Sequence, residues 1–148
     1  MREIEIDPMP SVNGRPTVVL ADDHPRVLST VGEILASEFD ILAGVSDGIK
    51  AVQAAIKYKP DILVLDIAMP GLDGIQAARE VRRLTLPARL VFLTIQEDAD
   101  YMRAAHDLGA SYVLKHRMHI DLPTALKEAL AGRMFVSPRL LSTHPATI

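Results

Sequence analysis

Between Asp61 and Gly74 the chain runs through four consecutive apolar residues, Ile62 to Leu65, closes them with Asp66, and breaks at Met69, Pro70 and Gly71. A continuous run with branched side chains, bounded by proline and glycine, is the pattern of a strand buried on both faces. Such a strand needs cover on both sides, and this restricts the fold more than any other stretch of the chain does. Asp66 then stands where the buried strand reaches the surface, beside a loop stiffened by proline. In an open α/β sheet that edge is where ligands bind. Taken alone, Asp66 reads equally well as the start of a turn.

The remaining segments supply the cover. Residues 1–16 hold Pro8, Pro10, Gly14 and Pro16 among acidic and small residues and read as a loose leader. Thr17 to Ala21 is the first strand, stopped by Asp22, Asp23, His24 and Pro25, and Val27, Leu28, Val31, Ile34 and Leu35 form a helical stripe. Ile41 to Val45 is a second strand, followed by an Asp47-capped helix carrying Ile49, Val52 and Ile56 and ended by Lys59 and Pro60. After the central strand come a helix over about 73–84 and a strand from Leu90 to Ile95. A helix capped by Asp98 follows, with Tyr101, Met102, Ala105 and Leu108 inward and Gly109 at its end. Ser111 to Leu114 is the fifth strand, and Asp121 opens a last helix with Leu122, Ala125, Leu126, Ala129 and Leu130 on one face.

Alternating strands and helices predict a doubly wound parallel sheet, a flavodoxin-like three-layer sandwich in the order 2-1-3-4-5. In that order strands 1 and 3 are neighbours at the switch point. Asp22, Asp23 and Asp66 end those strands, Thr94 ends strand 4 and Lys115 ends strand 5. The polar groups converge on one edge.

Composition narrows the classes of function. A chain of 148 residues is one domain's worth, and a net charge of -3 gives no basic footprint for nucleic acid. With no cysteine there is no thiolate metal site or cysteine nucleophile. The N-terminus lacks a secretory core segment and no apolar stretch approaches the ~20 residues of a membrane span, so the expectation is a soluble, cytoplasmic protein.

Three carboxylates held together repel, and the cost is relieved by protonation or by a cation. Oxygen-only ligands favour a hard ion, and Mg²⁺ is the natural one beside phosphate. Asp22 and Asp23 would hold it, with Asp66 giving one oxygen to the metal and presenting the other as a nucleophile for a phosphoryl group. Lys115 would neutralise phosphoryl charge and Thr94 would donate its hydroxyl. Each residue also has a plainer reading: capping for the Asp pair, a β-branched strand residue for Thr94, a solvated charge for Lys115. All of those would have to hold at one sheet edge.

Four motifs carry a resemblance: Ala21-Asp22-Asp23-His24-Pro25, Leu65-Asp66-Ile67-Ala68-Met69-Pro70-Gly71-Leu72-Asp73-Gly74, Phe92-Leu93-Thr94, and Gly109-Ala110-Ser111-Tyr112-Val113-Leu114-Lys115. Together they resemble the receiver domain of bacterial response regulators (the CheY-like fold), over about residues 17–133. The resemblance implies that Asp66 accepts a phosphoryl group from a histidine kinase, and that Asp22, Asp23, Asp66 and the backbone carbonyl of Ala68 bind Mg²⁺. It also implies that Lys115 contacts the phosphoryl group, and that Thr94 and Tyr112 form a switch pair whose ring turns inward. The Asp22 motif and Gly132-Arg133-Met134-Phe135-Val136-Ser137-Pro138 are similar to the NarL/LuxR class of transcription regulators. This implies that residues 134–148 begin a linker toward a helix-turn-helix domain absent from this chain, through which alone DNA would be bound; a single-domain receiver is the alternative. It also implies that activation brings homodimerisation, by the first and last helices or by the strand 4 to helix 5 face.

Three positions depart from the family pattern. Ile95 replaces a small residue after the switch threonine, Ala68 lacks a polar group to position a hydrolytic water, and His116 replaces the proline after the lysine. The first two predict a long-lived phosphorylated form. His116 and His119 suggest a transition-metal pair, but no third ligand is spaced to join them. The competing functions are a degenerate receiver that acts as a phosphorylation-independent interaction module, and a Mg²⁺-dependent phosphohydrolase. The second would need an acid/base carboxylate near the position held by Ala68.

Overall fold

The computed structural model describes residues 14–138. Five strands, β1 (Thr17–Ala21), β2 (Asp40–Val45), β3 (Ile62–Leu65), β4 (Arg89–Thr94) and β5 (Ser111–Leu114), form one parallel sheet in the order β2-β1-β3-β4-β5. They alternate with α1 (Pro25–Leu35), α2 (Gly48–Tyr58), α3 (Gly74–Arg83), α4 (Ala99–Asp107) and α5 (Met118–Leu130), the last preceded by a 3₁₀ turn over Lys115–Arg117.

Side chains of a strand point alternately to its two faces, and here the two faces feed two separate cores. Val18, Leu20, Ile62, Val64, Val91, Leu93 and Val113 pack with Leu28, Val31 and Leu35 of α1 and Leu122, Ala125, Leu126 and Ala129 of α5. Val19, Ala21, Leu63, Leu65, Leu90, Phe92 and Leu114 pack on the opposite side with α2, α3 and Ala105 of α4. All four residues of β3 are buried, which explains why the run does not alternate. At about 1.5–3 kcal/mol for each fully buried aliphatic side chain, that strand is among the most strongly anchored parts of the sheet.

The strands and helices lie within a residue or so of the spans read from sequence, with three exceptions. Along α2, Ile49 and Ile56 are exposed, while Ala51, Ala54, Ala55 and Tyr58 join Val52 in the core. Alanines at i, i+3 and i+4 let this helix sit close to its neighbours, so spacing outweighs side-chain size. On α4 only Ala105 is fully buried; Met102 and Leu108 are half-buried and Tyr101 is exposed. The third exception is α5, which starts at Met118 rather than at Asp121. Asp121 does not cap the helix; its buried carboxylate accepts hydrogen bonds from Arg117 and Ser137. Gly109, at φ 70°, ends α4 in the left-handed conformation that glycine adopts freely.

Residues 134–138 lie against β5. The Tyr112 backbone N–H donates to Phe135 O (2.8 Å), the Ser137 N–H donates to Tyr112 O (2.9 Å), and a parallel bridge pairs Tyr112 with Val136. The edge of β5 is therefore covered rather than open. Of the expected leader and linker, residues 1–13 and 139–148 lie outside the described residues.

Candidate functional site

The register of the sheet assembles the site. Ala21 pairs with Leu65 and Leu65 with Phe92, while Thr94 pairs with Leu114. Asp22 and Asp66 follow paired residues on adjacent strands, and Lys115 follows Leu114. Two backbone bonds carry the ladder past the strand ends: Asp66 N–H to Ala21 O (2.9 Å) and Asp22 N–H to Val45 O (3.0 Å). Gly74 fixes the loop after Asp66, because a Cβ at that position would collide with the carbonyl of Asp66. Its N–H donates to Ile67 O at 2.8 Å. The capping box of α3 then ties the far end of this loop, Asp73 accepting from Gln76 N–H and the Gln76 side chain from Asp73 N–H.

The carboxylates of Asp22 and Asp66 are both buried, and Asp23 is partly exposed. Lys115 Nζ bridges the two buried groups, 2.8 Å from Asp22 Oδ2 and 3.0 Å from Asp66 Oδ2. The contact with Asp66 is a hydrogen bond. The contact with Asp22 is a close ion pair to the same ammonium, so the two buried carboxylates share one cation. Burial pushes the Asp66 carboxyl above the ordinary aspartate value, the Lys115 hydrogen bond pulls it back, and the charge of Asp22 raises it again. Burial acts against the Lys115 ammonium, but the hydrogen bonds and charges of Asp22 and Asp66 outweigh it and hold its pKa above the ordinary lysine value. One cation thus stands against a surplus of negative charge.

The arrangement fits a hard divalent cation. Ligand atoms of Asp22, Asp23, His24 and Asp66 lie within 4.8 Å of one another, and the single ammonium of Lys115 meets both Asp22 Oδ2 and Asp66 Oδ2. Three clustered carboxylates against one ammonium leave negative charge that a divalent cation would offset. Ala68, the expected source of a backbone carbonyl, is exposed two residues past Asp66.

Thr94 is fully buried, and its Oγ1 accepts from Gln96 N–H at 3.2 Å. The Tyr112 ring is also buried, tilted 55° against Phe92 at 6.5 Å, and its hydroxyl donates to Gln96 O at 2.8 Å. One residue, Gln96, therefore links the expected switch pair through its backbone. Ile95, beside them, is 72% exposed. After Lys115 the chain makes its 3₁₀ turn with trans peptides throughout the described residues. His116 and His119 are exposed and join no metal-capable cluster among the described residues.

Two features of the site were not read from sequence. His24 turns its ring onto the acidic pair, and Ser137 closes a buried network with Asp121 and Leu114. A histidine at a helix N-cap was the available signal for the first. The second joins residues too far apart in sequence to leave one.

The profile of the response regulator receiver domain matches residues 18–127. The chain is 33% identical over 130 residues to the transcriptional regulatory protein DegU of Brevibacillus brevis, covering 86% of this chain and 54% of that one. It is 30% identical over 135 residues to the nitrate/nitrite response regulator protein NarL of Escherichia coli, covering 89% and 62%. The chain thus spans between half and two thirds of the length of these relatives. Among solved structures, a LuxR-family two-component response regulator from Aurantimonas superposes with a TM-score of 0.79 at 28% identity, over 90% of this chain and 96% of that one. With the sheet order, the buried aspartates and the bridging lysine all in place, the chain belongs to the family of response regulator receiver domains.

Proposed function

We propose that Asp66 is the phosphoacceptor of a two-component switch, charged by a sensor histidine kinase. Asp22, Asp23, Asp66 and the backbone carbonyl of Ala68 would hold Mg²⁺, which supplies charge neutralisation for the incoming phosphoryl group. The observation that carries this reading is the buried Asp66, bridged by Lys115 to a second buried carboxylate and clustered with Asp23, all with ligand atoms within 4.8 Å of one another.

The roles follow from that geometry. An Asp66 carboxylate oxygen attacks phosphorus, the bond to the donor's imidazole nitrogen breaks, and its electron pair leaves with the imidazole, which takes up a proton. Lys115, already on Asp66 Oδ2, follows the new charge onto the phosphoryl oxygens. Thr94 offers its hydroxyl to the same group. Because Thr94 Oγ1 accepts from the N–H of Gln96 and Tyr112 donates to the carbonyl of Gln96, a displaced threonine pulls on the tyrosine's anchor. The surface of α4 and β5 then changes, and that change is the output.

The names of the relatives, a transcriptional regulatory protein and a nitrate/nitrite response regulator, support an output through a DNA-binding domain in the full regulator, with the phosphorylated receivers pairing as homodimers. The receiver domain takes in residues 17–133, with residues 134–148 as the start of a linker, of which residues 134–138 lie against β5. The domain acts in the cytoplasm as a signalling device and turns over no substrate beyond its own phosphoryl group; no described helix is long and apolar enough to cross a membrane. No observation favours the degenerate module or the phosphohydrolase.

An intact-mass spectrum after incubation with Mg²⁺ and a small acyl phosphate, run beside Asp66→Ala, tests the proposal. A gain of one phosphoryl group in the parent alone is expected. No gain in either protein would overturn it.

A further inference from the structure

Burial in residues 134–138 runs against hydrophobicity. Met134 and Val136 are 44% and 53% exposed, whereas Ser137 is 2% exposed. Taking a hydroxyl out of water is costly unless hydrogen bonds meet it, so a serine buried ahead of a valine is there for its hydroxyl. That hydroxyl has two partners. It accepts from Leu114 N–H at 3.1 Å and donates to Asp121 Oδ2 at 2.7 Å. Asp121, itself buried, accepts from Arg117 through both carboxylate oxygens, Nε to Oδ2 at 2.7 Å and Nη2 to Oδ1 at 3.2 Å.

These contacts enclose one residue, Lys115. Leu114 precedes it, Arg117 follows two places on, and its own carbonyl accepts from Met118 N–H at the start of α5. No proline ring fixes the backbone after it, since His116 stands there, so side-chain bonds have to hold the turn. The lysine stem is flexible. Its ammonium stays 2.8 Å from Asp22 Oδ2 and 3.0 Å from Asp66 Oδ2 only while the backbone that carries it keeps its place.

We propose that Ser137 and Asp121 are positioning residues for Lys115: the segment that leaves the domain clamps the turn bearing the ammonium, and so sets how fast Asp66 takes up a phosphoryl group. The inference rests on the reading of Asp66 as the phosphoacceptor given above. The two residues act through Leu114 and Arg117 rather than on the reacting atoms. With the Lys115 backbone held, the swing from carboxylate to phosphoryl oxygen is made by the side chain alone. Misplacing such a group by about 1 Å costs up to about 10²-fold in rate. Whatever draws residues 134–138 away from β5 therefore slows the charging of Asp66.

Three variants separate positioning from stability. Ser137→Ala frees both Leu114 and Asp121. Arg117→Met frees the turn but leaves Ser137 on its two partners. Leu35→Ala, in the core at the end of α1 away from the acidic pocket, lowers stability alone. Circular dichroism establishes that each whole-chain variant is folded, timed intact-mass spectra give the rate of phosphorylation by a small acyl phosphate at saturating Mg²⁺, and calorimetry gives Mg²⁺ affinity. Expected is a rate about tenfold lower in Ser137→Ala and Arg117→Met, with Mg²⁺ affinity within about twofold of the parent and Leu35→Ala within about twofold of the parent's rate. Should Ser137→Ala fail to fold, Arg117→Met alone decides. Parent-like rates in the clamp variants, equal slowing in Leu35→Ala, or Mg²⁺ binding weakened in step with the rate overturns the inference and leaves Asp66 as the phosphoacceptor. No phosphoryl gain in the parent sinks both readings.

Discussion

Ser137→Ala is expected to be among the more damaging single-atom deletions in this protein, although the residue lies beyond the last helix. Its hydroxyl is buried between two elements: Leu114 N–H donates to Ser137 Oγ at 3.1 Å, and Ser137 Oγ–H donates to Asp121 Oδ2 at 2.7 Å. The alanine leaves the Leu114 N–H at the end of β5 without an acceptor, at about 1–3 kcal/mol. It also removes a donor from a charged carboxylate. Arg117 Nε still holds the same oxygen at 2.7 Å, so that loss falls at the low end of the range for such bonds, about 1.5 kcal/mol. Together they come to about 2.5–4.5 kcal/mol, or a fall in Tm of about 5–18 °C for a chain of this size. Urea unfolding followed by circular dichroism measures it, with the exposed Ser29→Ala as a control expected within about 0.5 kcal/mol. The pH dependence gives a second check. Burial pushes the Asp121 carboxyl up, but the hydrogen bonds from Arg117 and Ser137 outweigh it and hold its pKa below the ordinary 3.8. The stabilisation from that depressed pKa is present above 3.8 and is lost as pH falls through the folded-state value, so the gap between parent and variant should narrow in acid. A loss under about 1 kcal/mol at neutral pH would show that the network does not bind residues 134–138 into the fold.

Three further outcomes follow from the acidic pocket. Asp66→Asn should stabilise the protein at pH 8, because burial and Asp22 disfavour the native carboxylate; the gain should fade as pH drops toward 3.8, and urea midpoints at the two pH values measure it. Lys115→Met leaves Asp22 and Asp66 without their shared cation, so it should cost about 3 kcal/mol in metal-free buffer and recover more Tm on adding Mg²⁺ than the parent does. An equal Mg²⁺ response in both proteins would refute that reasoning. With Ala68 unable to position a water and Ile95 beside Thr94, the phosphorylated protein should persist for minutes or longer at neutral pH by timed intact-mass spectra; loss within seconds would refute it.

What could be read in advance divides along physical lines. The five strands are legible because a strand covered on both faces must be apolar throughout, as Ile62 to Leu65 are, and because polar or turn-forming residues mark their ends. Once strands 1 and 3 are neighbours, Asp22 and Asp66 have to meet, and Lys115 has to arrive from the strand end two places away. The rotation of α2 was not legible in the same way. Two stripes, Ile49/Val52/Ile56 and Ala51/Ala54/Ala55/Tyr58, both have helical spacing, and reading the larger side chains as the inner ones chose wrongly. What decides is how near the helix comes to its neighbours. A Cβ on Gly48 at its first turn would meet the carbonyl of Leu72, so the helix start is pressed against the loop after Asp66. The start of α5 was hidden for a different reason. Pro123 suggests a first turn, since proline is best tolerated there, and Asp121 before it looks like a cap. In the fold that carboxylate is turned sideways to Arg117 and Ser137, the latter 16 residues away.

The charges of the pocket explain why such a site can be a switch rather than only a binding place. Asp22, Asp23 and Asp66 bring three negative charges when ionised, and Lys115 returns one, leaving two for a divalent cation to offset. Converting Asp66 to an acyl phosphate removes its carboxylate charge and adds up to about two on the phosphoryl oxygens, a net gain of about one. That extra charge appears further out than the old one, beyond the reach of Lys115 as it now sits on Oδ2. The ammonium and the Thr94 hydroxyl are the groups able to answer it by moving. Thr94 is tied through Gln96 to Tyr112, whose backbone in turn holds residues 135 and 137. On the proposed reading, a change of about one charge at Asp66 would reach the covered edge of β5 through these hydrogen-bonded neighbours.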